Sequence, residues 1–288
     1  MGKQQISCPK CRSKELIKRG RRKTGRGLVQ RYFCKDCNKR FIQDYGFYRM
    51  RNNEYKVTAC LDMYFRGMSL RKIQEHLRAF YPHNCSHMTI LRWIRKYCSQ
   101  IGEFTDNLNL KAGYELMSDE MEYSTKGKQT WFVDVMDTKT RYIVSSNFMR
   151  SRTIENLTNV LRLAKKKTGN QIRVVTTDGL KGYPRVLRKS FGLNKNRKNS
   201  IIHNVVIADE RGFNHKIERL HGNIRERTKV FRGFGSLESA RAIMKGYEIF
   251  HNFCRKHQGI NKYPYELATD LQLGKNRWID LIKLSIKK

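Results

Sequence analysis

The sequence predicts an α/β protein: a mixed sheet with helices, set behind two small N-terminal modules. Three observations carry this. Three strand-like segments follow one another between residues 115 and 145, joined by short polar connections; that pattern makes an antiparallel meander. After them, helical and strand-like stretches alternate, which extends the sheet with parallel strands. Before them stand two Cys-x-x-Cys pairs and then three short helical stretches. The expected organisation is a metal-held module over 1–48, a helical module over 49–108, an α/β body over 109–270 and a basic tail over 271–288.

The front module comes first. Cys8-Pro9-Lys10-Cys11 and Cys34-Lys35-Asp36-Cys37 each bend the backbone so that two thiolates reach one ion. Together, Cys8, Cys11, Cys34 and Cys37 complete a tetrahedral set for Zn²⁺. The spacer of 22 residues carries a turn signal over 23–27 and a strand-like run over 28–33, so the module reads as a zinc ribbon with a hairpin. A module this small has little core, and zinc supplies its folding energy. Arg19, Arg21, Arg22, Lys23 and Arg26 on the hairpin are placed for phosphate contact. Cys60, Cys85, Cys98 and Cys254 lack ligand spacing and are expected as buried apolar side chains.

Residues 54–100 read as three helices. The first runs over 54–66 and stops at Gly67. Ser69 caps a second over 70–79, with Leu70, Ile73 and Leu77 on one face. The stretch Tyr81-Pro82-His83-Asn84 breaks the chain, and Ser86 caps a third through Tyr97. Ile90, Ile94 and Tyr97 then face inward, Trp93 belongs to the core, and Arg92, Arg95 and Lys96 lie outside, able to meet DNA. The break is longer than a tight turn, so the module is a helix-turn-helix variant or a three-helix linker.

In the body, 115–122, 131–136 and 141–145 form the meander. A helix over 153–167 follows, with Ile154, Leu157, Leu161 and Ala164 on one face. A strand over 172–176 ends at Thr177-Asp178-Gly179. A helix over 183–190, a strand over 202–207 and a last main helix over 214–230 complete the pattern. Three antiparallel strands and then alternation is the order of a ribonuclease H-like fold.

Charge narrows the function. The chain holds 60 Lys+Arg against 25 Asp+Glu, a net of +35, and the excess is spread over every section. That distribution points to nucleic acid contacted along the whole body. No secretory signal opens the chain and no apolar run approaches a membrane span; a cytoplasmic, nucleoid-associated protein with no membrane partner is expected.

Against this basic background three acids need a reason. Asp178 sits where a parallel strand ends, the usual place for functional groups in an open α/β sheet. Glu218 lies on a helix whose Asn214, His221 and Arg225 share its face, opposite a buried stripe of Ile217, Leu220 and Ile224. Asp119 lies on the first strand, where Glu120 and Glu122 compete for its role, as does Asp134 on the next strand. Carboxylates on a basic scaffold are economically explained by a divalent metal, Mg²⁺ or Mn²⁺, held against a phosphodiester.

The segments Ser118-Asp119-Glu120, Thr177-Asp178-Gly179 with Tyr183, and Asn214-His215-Lys216-Ile217-Glu218-Arg219-Leu220-His221 extend the pattern. So do Arg232-Gly233-Phe234-Gly235-Ser236 and His251-Asn252-Phe253-Cys254 with the downstream Tyr263-Pro264-Tyr265-Glu266. In these the chain resembles insertion-sequence transposases of the DDE type, with a retroviral-integrase-like core. The resemblance implies that Asp119, Asp178 and Glu218 form the catalytic triad and hold two Mg²⁺ ions, Asp119 and Asp178 sharing one and Glu218 holding the second. It implies strand cleavage and strand transfer at element ends, without a covalent protein–DNA bond. Partners would be element ends and target DNA, and holding two ends requires a homodimer or larger assembly. His221 and Arg225 would position phosphate, with a structural salt bridge the alternative for Arg225. The gap of 40 residues between Asp178 and Glu218 accommodates a basic insert over 194–199. Competing readings are a catalytically dead DNA-binding regulator, a nuclease of the same fold without strand transfer, and a metal-independent tyrosine or serine recombinase.

Overall fold

The computed structural model describes residues 6–24, 27–43, 46–47, 50, 52–81, 85–192, 201–206, 215–229, 231 and 233–286. The expected contact Arg26, the break at 82–84, the insert at 194–199 and Asn214 lie outside these residues.

At the front, β1 (Leu16–Thr24), β2 (Gly27–Cys34) and β3 (Arg40–Ile42) form an antiparallel sheet in that order. Its register shifts between Lys18 and Arg21, where Gly20 adopts a positive φ of 67°. The sheet has almost no interior: Tyr32 stacks on Phe41 at 5.8 Å and Arg19 lies over Phe33 at 5.1 Å. So little packing offsets little of the entropy of ordering the chain, which is consistent with a module held by a metal.

Three helices follow: α1 (Glu54–Phe65), α2 (Leu70–Phe80) and α3 (His87–Thr105). Asn53, Ser69 and Ser86 accept from the backbone N–H groups of Lys56, Lys72 and Thr89, satisfying donors that a helix start leaves free. Helix α3 runs two turns beyond the expected end at Tyr97, because Cys98, Ile101, Gly102 and Thr105 are all buried.

The body contains β4 (Glu115–Thr125), β5 (Lys128–Asp137), β6 (Ile143–Met149), α4 (Ile154–Thr168), β7 (Val174–Thr177), α5 (Tyr183–Phe191), β8 (Ile202–Val205), α6 (His215–Thr228) and α7 (Leu237–Ile249). The sheet order is β6-β5-β4-β7-β8. Strand β4 is central, antiparallel to β5 and parallel to β7. Side chains alternate across it. On one face Ser118 meets Tyr183 of α5, and Ser145 donates to the Val160 carbonyl of α4. On the other, Tyr123 meets Thr228 of α6 and Ser146 donates to Glu248 of α7. Helices therefore cover both faces, as a ribonuclease H-like fold requires. At the outer edge of β6, the Asn252 amide donates to the Ile143 carbonyl and accepts from its N–H, so a side chain pairs what an edge strand leaves open.

Two expectations are corrected here. The helix over 214–230 is not the last main one, since α7 follows, then a π-helical turn at Phe250–Cys254 and α8 (Pro264–Ala268). Residues 271–288 are not a free basic tail. They contain α9 (Arg277–Ser285), which buries Trp278, Leu281, Ile282 and Ser285; Trp278 stacks on Phe65 of α1 at 5.6 Å. Lysines around these apolar residues gave the segment a tail's composition, yet their spacing of i, i+3, i+4, i+7 is that of an amphipathic helix.

The helical module and the body share one core. Gly246 of α7 sits so close to α1 and α3 that a Cβ there would lie 2.2 Å from the Phe65 ring and 2.7 Å from Cys98 Sγ. Buried Arg227 of α6 lies over the Tyr64 and Phe231 rings and donates to the Met68 carbonyl. Lys245 of α7 bridges Asp106, after α3, at 3.0 Å and Glu248 at 2.7 Å. Cys60, Cys85, Cys98 and Cys254 are all buried, as expected. Among the described residues no helix is long and apolar enough to cross a membrane.

Candidate active site

Strand β4 delivers Asp119 and Glu120 from the centre of the sheet. Its neighbour β7 runs parallel, with Ser118 opposite Thr177. Asp178 is the first residue past that strand, so register alone brings it beside Asp119. One ligand oxygen from each of Asp119, Glu120 and Asp178 lies within 4.8 Å of the others. The Leu180 N–H donates to Asp178 Oδ1 at 3.2 Å, holding that carboxylate in the turn.

The cluster is electrostatically costly. Burial raises Asp119 to about 6, with the neighbouring charges of Asp134 and Asp178 adding and His221 opposing. Burial likewise raises Glu120 to about 7, with Asp178 and Asp119 adding and the Tyr183 hydroxyl opposing. Carboxylates this close and this buried resist ionising together. A divalent cation would supply the missing positive charge, so the residues present fit such an ion.

Glu120 is anchored on the opposite face of β4. Its side chain is 2% exposed. The Tyr183 hydroxyl donates to its Oε1 at 2.5 Å, and Arg152 lies 3.8 Å from its Oε2 while stacking over Trp131 at 3.6 Å. The acid weighed as a rival to Asp119 thus stands with Asp119 and Asp178 in one cluster.

Helix α6 covers the other face. Ile217, Leu220 and Ile224 form its buried stripe. Glu218 is exposed in the first turn and is not brought within ligand distance of the cluster. His221 departs from the expectation of phosphate positioning. Its side chain is buried, with Nε2 2.6 Å from Asp134 Oδ1 and Nδ1 3.4 Å from Asp119 Oδ2. It faces carboxylates because the turn of α6 that carries it lies directly over the Asp119–Asp134 pair of β4 and β5. Burial lowers its basicity, but the Asp134 charge and hydrogen bond outweigh that, and the net shift is upward. Of the other two rivals, Asp134 faces His221 and not the acid cluster, and Glu122 is exposed outside it. An acid in the apolar run Trp-Phe-Val-Asp-Val-Met signals a buried partner, but the partner's identity depends on the fold. Arg225, one turn further on, is exposed.

In the front module, Cys8 Sγ lies 3.5 Å from Cys37 Sγ and Cys11 Sγ 3.5 Å from Cys34 Sγ. All four sulfurs fall within 4.8 Å of one another, the span of a tetrahedral thiolate set around Zn²⁺. Of the expected DNA contacts, Arg21, Arg22 and Lys23 are exposed on β1, and Arg92 and Lys96 are exposed on α3. Arg95 is exposed but engaged: its Nε and Nη2 donate to Ser239 Oγ of α7 at 3.1 and 2.8 Å. A cavity of about 430 Å³ lies between α3, α7 and β6, and none of the clustered acids lines it.

A ribonuclease H-like sheet with acids gathered at the end of its central parallel pair defines a polynucleotidyl-transfer core. Residues 115–257 match the family model of a transposase DDE domain, and this segment is a DDE transposase domain. No curated protein matches the chain. Among solved structures, the HTLV-2 integrase catalytic core domain in complex with magnesium, in its trimeric form, aligns at 14% identity with a TM-score of 0.38, covering 55% of this chain and 98% of that one. The dimeric form aligns at 14% identity and 0.36, covering 55% and 97%. The simian T-cell lymphotropic virus intasome in complex with PP2A regulatory subunit B56 gamma aligns at 12% identity and 0.40, covering 73% of each chain.

Proposed function

We propose that this transposase cleaves DNA at the ends of a mobile element and joins the freed 3′ ends to target DNA. The observation that carries the reading is the convergence of Asp119, Glu120 and Asp178 within 4.8 Å, in a chain of net charge +35. Asp119 and Asp178 would hold Mg²⁺ or Mn²⁺, with Glu218 joining them from the first turn of α6. Bound divalent ions polarise the scissile phosphate and lower the pKa of the attacking hydroxyl.

The chain's own residues do the rest. Tyr183 fixes Glu120, and the Leu180 N–H fixes Asp178. Arg225, exposed on α6 two turns past Glu218, would meet the flanking phosphate. The ribbon over 1–48, held by Zn²⁺ on Cys8, Cys11, Cys34 and Cys37, would meet DNA through Arg21, Arg22 and Lys23. The helical module over 49–108 would add Arg92 and Lys96, while Arg95 braces α3 against α7. Two ends must be held at once, so the working form is a homodimer or larger.

Glu218 and Glu120 are the two candidates for the third acid, and variants separate them. Strand joining with Mg²⁺ and end-bearing DNA should be lost in Glu218→Ala and reduced in Glu120→Gln, with DNA binding unchanged in both. Joining retained in Glu218→Ala and abolished in Glu120→Gln would transfer the role to Glu120.

A further inference from the structure

We propose that Asp134 and His221 act as a positioning pair that holds the Asp119 carboxylate in its metal-facing orientation; this rests on the reading of Asp119 as a metal ligand. Asp134 has no exposed surface and stands in β5 directly opposite Asp119. Its flanking residues Phe132, Val133, Val135 and Met136 are all buried and apolar. A carboxylate in such a strand costs several kcal/mol, roughly, unless paired, and packing alone would be served by valine or leucine.

Among the described residues the Asp134 side chain has one hydrogen-bond partner. His221 Nε2 lies 2.6 Å from its Oδ1, while its Oδ2 has no hydrogen-bond partner among the described residues. His221 in turn is 3% exposed, and its Nδ1 faces Asp119 Oδ2 at 3.4 Å. The Nε2–Asp134 contact is a hydrogen bond, and Nδ1 faces Asp119 at ion-pair distance. The ring cannot turn without breaking the short bond to Asp134. Asp119 Oδ1 is separately held by the Glu120 N–H at 2.7 Å. One oxygen of Asp119 is thus hydrogen-bonded by its own strand, and the other faces the imidazole that Asp134 holds in place. Carboxylates that ligate metals are commonly oriented by such outer partners, and loss of an outer group costs about 10–100-fold in metal affinity or activity.

The test measures Mn²⁺ affinity of the full chain, zinc ribbon loaded, by electron paramagnetic resonance, with thermal melting alongside. Asp119→Asn reports on the underlying reading: it should abolish the tight Mn²⁺ site. Asp134→Asn and His221→Gln, near-isosteric changes, should weaken Mn²⁺ binding about tenfold or more while the chain stays folded. Loss in Asp119→Asn with unchanged affinity in both other variants would overturn the pair and leave the metal reading standing. Retained binding in Asp119→Asn would overturn the metal reading itself. Unfolding of both pair variants would make Asp134 and His221 a structural element only and would equally overturn the proposal.

Discussion

His221 Nε2 stands 2.6 Å from Asp134 Oδ1, with the carboxylate fully buried at the sheet and the imidazole almost so. Removing the histidine alone strands a charge in a water-excluded site, whereas removing both partners does not. His221→Ala should cost about 3–5 kcal/mol in urea denaturation. Asp134→Leu combined with His221→Leu should cost markedly less, because no buried charge is then left unpaired. Equal losses in the single and double variants would show that the pair contributes only packing.

Asp119 and Glu120 titrate at about 6 and about 7 in the folded chain, above the value near 4 of carboxyls in unfolded chains. Between those pH values the folded chain binds more protons, so their contribution to stability falls as pH rises from about 4 to about 7. His221, shifted upward, loses its own contribution in the same direction as pH rises through its folded value. Without added Mg²⁺ or Mn²⁺, Asp119→Asn should melt higher than the unaltered chain at pH 7.5, by on the order of 5 °C, and near it at pH 4. Added Mn²⁺ should raise the melting temperature of the unaltered chain and leave the variant unmoved.

Gly246 lets α7 approach α1 and α3 to a separation that no larger residue permits. Gly246→Ala should destabilise by about 1–3 kcal/mol through overpacking, seen as a lower denaturation midpoint in urea. Gly222, on the open side of α6 with nothing near its missing side chain, is the control: alanine there should be neutral or stabilising.

Arg21, Arg22 and Lys23 leave β1 as an exposed cationic row. If each neutralises one phosphate, replacing all three by alanine should reduce the slope of log affinity against log salt by about 3. An unchanged slope would place the DNA path away from the ribbon.

The body was legible because alternation and turn chemistry fix strands locally. The meander, the parallel return through β7 and the position of Asp178 at its end all follow from the residues. The Cys₄ set was legible for the same reason, since the spacing of each pair dictates which sulfurs meet. What escaped depended on distant partners. Helix α3 extends to Thr105 because α7 and the body bury its last turns, and α9 is a helix because Trp278 finds Phe65. His221 shares a helix face with Glu218 in the sequence, but that Asp119 and Asp134 lie opposite it is a property of the sheet register. Arg95 is outward by periodicity, yet Ser239 of α7 claims its guanidinium.

The central claim is that acids at the end of β4 and β7 hold the metal that processes DNA. Its most direct test follows labelled element-end DNA with Mg²⁺ and Asp178→Ala. Unaltered protein should nick the end and join its 3′ hydroxyl to target, while Asp178→Ala should bind the same DNA with equal affinity and yield neither product. Nicking or joining by Asp178→Ala, or by the unaltered protein with divalent metal withheld, would contradict the account.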